Sequence, residues 1–405
     1  MKEAEVVLDL SRLLSRLLHS TPTGVDRVEM AYARGLLELL PERRVAFAAV
    51  HPSGVYGRLR RDAVLAFLAA TEERWDQAGG GDGRSRRFAA YWWLRLSPSL
   101  RFPKPPASGA RRVYLQASPN NLTQPNLVAD ILRRERARFV CLVHDLIPLE
   151  YPEYARPNGA RLHRERILTI TQQASGIIAN SQATLASLQP WLARSNRLPL
   201  IDVARLGTMS GLRDATAAVS MQPPYFLCIG TIEPRKNHLL LLNLWRRLAE
   251  RQRPENVPKL ILVGRRGWEN EQVIDMLERC PTLAGYVEEK GRLGDRATQS
   301  LLAGAAGLLL PSFAEGFGMP VAEALAAGVP VLCSDLPALR EAGGDVPLYL
   351  DPLDGLGWQA AIQDLASPGS ALAAAQRQRS AAWRAPTWPE HLAIVLNMLH
   401  RAVNE

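Results

Sequence analysis

An α/β fold of two domains, each a mainly parallel sheet covered by helices, is what this sequence predicts. Three observations carry that expectation. Short apolar runs alternate with longer helical patterns along most of the chain, as strand–helix–strand units do. The runs fall into two sets, separated by a polar, small-residue stretch from Leu206 to Pro224 that ends in Pro223-Pro224. The chain has 405 residues and is 47% hydrophobic, enough for two ordinary cores and too apolar for a disordered protein.

In chain order, the first set of expected strands is Glu5–Leu10, Val45–Val50, Arg112–Gln116, Arg138–His144, Ser175–Asn180 and Leu200–Arg205. Helical patterns over Thr23–Leu40 and Arg161–Ala174 lie between them. The second set is Tyr225–Ile229, Lys259–Gly264, Tyr286–Lys290, Ala305–Pro311 and Val329–Ser334, with a helix expected over Asn237–Arg251. The expected domains are 1–210 and 222–387, with 206–224 as linker. A final helix, 388–405, has apolar spacing suited to packing back on the first domain.

Composition narrows the function. The net charge is +9, carried mostly by arginine, which suits nucleic acid, an anionic membrane surface or a phosphorylated substrate. No nucleic-acid-binding motif appears, so no nucleic-acid partner is expected. The four cysteines, Cys141, Cys228, Cys280 and Cys333, have no metal-ligand spacing; neither a disulfide nor a metal is expected. With no leader-like start and no membrane-length apolar run, the expected compartment is the cytosol. Neither domain opens with Gly-x-Gly-x-x-Gly, and no Gly-x-x-x-x-Gly-Lys-Ser/Thr loop is present. A dinucleotide enzyme and a P-loop ATPase are thereby disfavoured.

In open α/β sheets ligands bind beyond the carboxyl ends of the strands, so the loops after strands hold the candidates. Pro311-Ser-Phe-Ala-Glu-Gly-Phe-Gly-Met-Pro-Val-Ala-Glu-Ala-Leu-Ala-Ala-Gly-Val-Pro is the most informative of them. The apolar run before it reads as a buried strand. Pro320 suits the first turn of a helix that Gly328 and Pro330 stop. Glu315 then lies on the loop and Glu323 in the first turn of the helix. Carboxylates suit sugar and ribose hydroxyls, and the backbone N–H groups at a helix start suit phosphate. Arg235 and Lys236, in Gly230-Thr-Ile-Glu-Pro-Arg-Lys-Asn-His, precede the next expected helix. Cations there conflict with the helix dipole by ~0.3–1 kcal/mol unless an anion joins them.

These strings resemble the donor-side motifs of retaining GT-B glycosyltransferases, family 4. The resemblance implies two Rossmann-like domains with parallel sheets facing across a cleft. It implies transfer of a hexose from a nucleoside-diphosphate sugar, without metal or other cofactor. By that resemblance Arg235 and Lys236 stabilise the leaving diphosphate, Glu315 holds the donor hexose and Glu323 the ribose. Backbone of Gly316, Phe317, Gly318 and Met319 adds contacts. Gly230, together with Gly264 and Arg265 of Val-Gly-Arg-Arg-Gly-Trp and Leu293 of Lys-Gly-Arg-Leu-Gly-Asp, adds further nucleotide-side candidates; Arg265 and Arg266 both stay open between ligand and solvent.

In the first domain, His144 of Val-His-Asp-Leu-Ile-Pro is expected to line the reaction centre. Gly24 of Thr-Pro-Thr-Gly-Val-Asp-Arg stands where the family carries a glycine-rich turn; its role stays open between phosphate and acceptor. These two segments look most like bacterial mannosyl- and rhamnosyltransferases of O-antigen and capsule assembly. GDP-mannose is therefore the expected donor, with UDP-sugars close behind, and a glycan or lipid-linked oligosaccharide the expected acceptor.

Residues 84–112 mix arginines with Phe88, Tyr91, Trp92, Trp93 and Phe102. That composition suits docking on the anionic inner face of the membrane or aromatic packing onto the first domain. A GT-B-like sugar-nucleotide epimerase and a non-catalytic sugar-nucleotide-binding subunit of an assembly complex remain the alternatives.

Overall fold

The computed structural model describes residues 4–76, 82–101, 111–208, 221–291 and 293–404. Most of the expected linker, 209–220, lies outside them, as does 102–110 of the basic–aromatic segment. The chain forms two units: one of Met1–Glu150, Pro157–Gly207 and Thr387–Glu405, the other of Tyr151–Arg156 and Thr208–Pro386. The grouping of 151–156 with the second unit was not foreseen in the sequence.

The first unit holds β1 (Glu5–Asp9), β2 (Val45–Val50), β3 (Tyr56–Leu59), β4 (Arg112–Gln116), β5 (Ala137–Val143), β6 (Gly176–Ala179) and β7 (Leu200–Val203). Their order is β3-β2-β1-β4-β5-β6-β7, parallel except for the β2–β3 pair. The second unit holds β8 (Tyr225–Ile229), β9 (Lys259–Val263), β10 (Val287–Lys290), β11 (Gly307–Leu310), β12 (Val331–Ser334) and β13 (Leu348–Leu350). Their order is β10-β9-β8-β11-β12-β13, all parallel. Each sheet therefore reverses its winding once, between β1 and β4 and between β8 and β11. A crevice opens at such a point because the flanking helices leave towards opposite faces.

The central strands are apolar without alternation because helices cover both faces. Val7, Leu8, Leu227, Leu260, Leu308 and Leu332 are fully buried. Two strands escaped the sequence: β3, a four-residue antiparallel edge strand reading Tyr-Gly-Arg-Leu, and the three-residue β13. The first is half polar, and the second, Leu-Tyr-Leu, is too short to stand out as a run.

The C-terminal helix Trp388–Asn404 packs on the first unit. His391 is buried there, with Nδ1 3.1 Å from the carbonyls of Ala204 and Arg205 and Nε2 2.8 Å from the Tyr32 hydroxyl. Burial holds this imidazole neutral down to about 4.

The helix Asp82–Arg101 is two-sided. Trp92 and Leu96 are buried, and the Trp92 ring meets Phe67 edge-on at 5.4 Å. Its outward side carries Arg84, Arg86, Arg87, Tyr91, Leu94 and Arg95. Among the described residues no helix is long and apolar enough to cross a membrane.

Candidate functional site

The switch point of the second sheet collects the charged residues. Beyond β8 the chain turns at Gly230, makes a single 3₁₀ turn over Pro234–Lys236, and enters the helix His238–Arg251 through Asn237. Asn237 adopts the left-handed region at φ 52°, and its amide donates to Pro352 O at 2.9 Å. Such a turn fixes the two preceding cations. Beyond β11 the chain runs through Ser312, Phe313 and Ala314 to Glu315, then enters the helix Met319–Ala326.

The two loops are joined directly. Phe313 N–H donates to Arg235 O at 2.8 Å, and Arg235 Nη1 donates to Ala314 O at 2.8 Å. Arg235 Nη1 lies 2.9 Å from one Glu315 oxygen, and Lys236 Nζ lies 2.5 Å from the other, which also accepts from Ser312 Oγ at 2.6 Å. Glu233 takes Arg235 Nε at 2.7 Å. Lys236 is 6% exposed and Glu233 5%. The result is a largely dry cluster of two cations and two anions.

Burial pushes the Glu315 carboxyl up, but the charges of Lys236 and Arg235 and the bonds from Lys236 and Ser312 outweigh it. The group sits at about 2 and is ionised at any working pH. Gly230 leaves room for Lys236, since a Cβ there would come within 3.3 Å of Lys236 Cε. His238, at the first helical position, is 1% exposed, and neither ring nitrogen has a hydrogen-bond partner among the described residues. Burial, then the positive charges of Lys236 and Arg235, drive its titration down to about 3.

The remaining second-unit candidates separate in two directions. Glu323 is half-buried on the helix Met319–Ala326 and begins its second turn, one residue deeper than the expected first turn, because the helix starts at Met319. Gly318 caps that helix at φ 94°, with Gly316 and Phe317 just ahead. Gly264 abuts Gly230, and the Arg265 carbonyl accepts from Ile232 N–H at 2.9 Å. Arg266 points to its own acids instead, 2.8 Å from Glu289 and 2.5 Å from Glu278. Leu293 lies after β10, just before the helix Asp295–Ala303.

Two members of the cluster, Glu233 and Ser312, went unnoticed in the sequence. The only signal was spacing: an acid two residues before Arg235 and a hydroxyl three before Glu315.

In the first unit, His144 follows β5. Its Nε2 lies 2.7 Å from Ala117 O, and since a carbonyl only accepts, Nε2 carries the hydrogen. Burial lowers its pKa, so Nδ1 is left as an acceptor. Asp145 accepts from Ile147 N–H at 3.1 Å, and its carbonyl receives His163 Nε2 at 3.0 Å. Gly24 is exposed at the start of the helix Gly24–Leu39. That helix is closed by a reciprocal cap between Thr23 and Asp26. Asp26 is buried and pairs with Arg12 at 2.7 Å and Arg16 at 3.4 Å. Its carboxylate is therefore committed to holding the loop.

Among the described residues no group of three or more His, Cys, Asp or Glu side chains could hold a metal ion.

Residues 223–367 match the family model described as Glycosyl transferases group 1. The chain is 42% identical over 130 residues to O-antigen chain mannosyltransferase B of Escherichia coli, covering 32% of this chain and 33% of that protein. It is 28% identical over 243 residues to the serotype-specific mannosyltransferase WbdA of Escherichia coli, covering 56% of this chain and 29% of that protein. Each match thus spans about a third of the relative's own length. Among solved structures, Anabaena HepE in complex with UDP and glucose superposes with a TM-score of 0.63 at 16% identity, covering 98% of this chain and 99% of that one. At that identity the likeness shows the fold, which is GT-B.

Proposed function

We propose that this chain, a GT-B protein carrying a glycosyl transferases group 1 domain over residues 223–367, moves a hexose from a nucleoside-diphosphate sugar to a hydroxyl of a growing bacterial surface glycan. The observation that carries the reading is the Arg235–Lys236–Glu315 cluster at the switch point between β8 and β11. Two fixed cations beside a helix start suit a diphosphate and stabilise the charge that grows on it as it leaves. Glu315 is an ionised acceptor beside them, suited to the hexose hydroxyls, and Glu323 is assigned the ribose. Gly230, Gly264, Arg265, Leu293 and the backbone of Gly316–Met319 complete the donor side of the proposal. Within the first unit, His144 Nδ1 is assigned to orient a hydroxyl and Gly24 to a phosphate or acceptor contact.

The names of the two relatives favour mannose, and hence GDP-mannose as donor, while the UDP and glucose of HepE keep uridine in the test. Retention of configuration and independence of metal are part of the same proposal. Both oxygens of Glu315 are engaged by Arg235, Lys236 and Ser312, which suits a binding role better than nucleophilic attack.

Calorimetry with GDP, UDP, ADP and dTDP in metal-free buffer is the direct test. One diphosphate is expected to bind selectively, and Arg235→Ala to weaken it at least tenfold. Absence of binding by all four would overturn the donor-site assignment.

A peripheral contact with the inner membrane face is proposed for the helix Asp82–Arg101. Its outward side combines four arginines with Tyr91, 51% exposed, and Leu94, 77% exposed, and no acid falls between Arg84 and Arg95. The purified protein is expected to sediment with anionic vesicles at low salt and to be released as salt screens the arginines. Equal sedimentation with neutral vesicles, or none with anionic ones, would remove this part.

A further inference from the structure

The segment Tyr151–Arg156 is grouped with the donor-side unit although it follows β5 of the other. Its aromatic rings explain the grouping. A 3₁₀ turn over Pro152–Tyr154 brings Tyr151 onto Tyr154, with ring centroids 5.9 Å apart and planes 27° from parallel. Tyr154 stacks in turn on Phe313, at 5.7 Å and 10°. The Trp268 indole N–H donates to Tyr154 O at 3.0 Å, and the Arg156 guanidinium covers the Trp268 ring at 4.6 Å. Phe313 itself is tied to Arg235 O and stands two residues before Glu315. The inner end of this three-ring ladder is therefore fixed to the charged cluster, while the outer ring, Tyr151, remains 40% exposed.

A large ring left in water at the end of a rigid stack is a prepared surface. A pyranose presents a face of C–H groups with its hydroxyls radiating in the ring plane. That face suits an aromatic ring, and the hydroxyls stay free for water or other donors. Because the stack already holds Tyr151, little side-chain freedom is lost on binding.

We propose that Tyr151 is a stacking subsite for a pyranose ring of the acceptor glycan, at a sugar unit removed from the hydroxyl that receives the hexose. The proposal rests on the glycosyltransferase reading for the word acceptor, but the sugar subsite is testable by itself. Tyr154, Phe313, Trp268 and Arg156 are positioning residues that keep the Tyr151 ring in place.

The test uses the full chain and α-linked mannobiose as probe, with affinity followed by saturation-transfer NMR. Tyr151→Phe keeps the flat face and is expected to bind within about twofold of the unsubstituted protein. Tyr151→Leu keeps apolar bulk without the face and is expected to lose about tenfold. Nucleoside-diphosphate affinity and the thermal midpoint should stay unchanged in both. Equal mannobiose affinity in all three proteins, or no mannobiose binding at all, would overturn the subsite. So would a parallel loss of diphosphate affinity in Tyr151→Leu, which would assign the ring to a nucleobase. A protein that takes mannobiose through Tyr151 but no nucleoside diphosphate would break the transferase reading and leave the subsite standing. One that takes a diphosphate but is indifferent to Tyr151→Leu would do the reverse.

Discussion

Glu315→Gln is expected to lower hexose transfer by about 10²–10³-fold while leaving nucleoside-diphosphate affinity intact or raised a few-fold. Glu315 holds both cations, Lys236 at one oxygen and Arg235 at the other. An arriving diphosphate must share those cations with it. Removing the charge ends that competition, so the anion gains, while the hexose loses its ionised acceptor. The substitution also leaves Lys236 buried beside a neutral amide. Breaking a buried pair costs about 3–5 kcal/mol. The cost should fall at the lower end here, since Arg235 keeps Glu233 and Ala314 O as partners.

At about 2–4 °C per kcal/mol for a unit of this size, the thermal midpoint should drop by roughly 5–10 °C. Saturating diphosphate should restore much of it by mass action. Calorimetry and a melting curve on one preparation check all of this. A fall in diphosphate affinity parallel to the fall in transfer would show that Glu315 does not compete for the cations, and would sink the assignment of separate roles.

Arg235, Lys236 and Glu315 were legible as one site because each follows an apolar strand, and strand order places the loops after β8 and β11 together. Their self-neutralisation was not legible. It needs the distance between residues almost eighty positions apart, and local sequence carries no such information. Arg266 shows the same limit from the other side. In sequence it is one of two adjacent arginines after a glycine; in the fold it is held by Glu278 and Glu289.

The helix Asp82–Arg101 advertises arginine and aromatic content, but composition does not say which side turns inward. Trp92 and Leu96 went to the core, Tyr91 and Leu94 to water. Strands were legible where apolar runs are long and buried, as in β1, β5 and β9. They were missed at two short sheet edges: β3, which is half polar, and β13, which is apolar but only three residues long. The excursion of Tyr151–Arg156 had a visible cause, two tyrosines flanking Pro152 and Glu153, and an invisible destination, Phe313 and Trp268.

Gly264→Ala should be the most damaging single methyl group in the donor-side unit. At φ 155° its backbone disfavours a side chain, and an added Cβ would lie 1.8 Å from Gly230 O and 2.6 Å from Gly230 C. Those are backbone atoms, so no rotamer change relieves the clash. The ends of β8 and β9 must separate, against the hydrogen bonds from Gly230 N to Val263 O and from Ile232 N to Arg265 O, both 2.9 Å. Gly230 is also the floor under Lys236, so the strain reaches the charged cluster directly. A loss of more than about 3 kcal/mol in stability is expected, together with loss of nucleoside-diphosphate binding. Gly285→Ala is the matched control. Its φ of 83° also disfavours a side chain, but nothing lies within 4 Å of the new Cβ. That change should cost only about 1 kcal/mol and leave nucleotide affinity unchanged. The difference between the two midpoints isolates the close approach of the two loops. Similar midpoints would mean that the β8 and β9 ends part freely, and that Gly230 does not hold Lys236 in position.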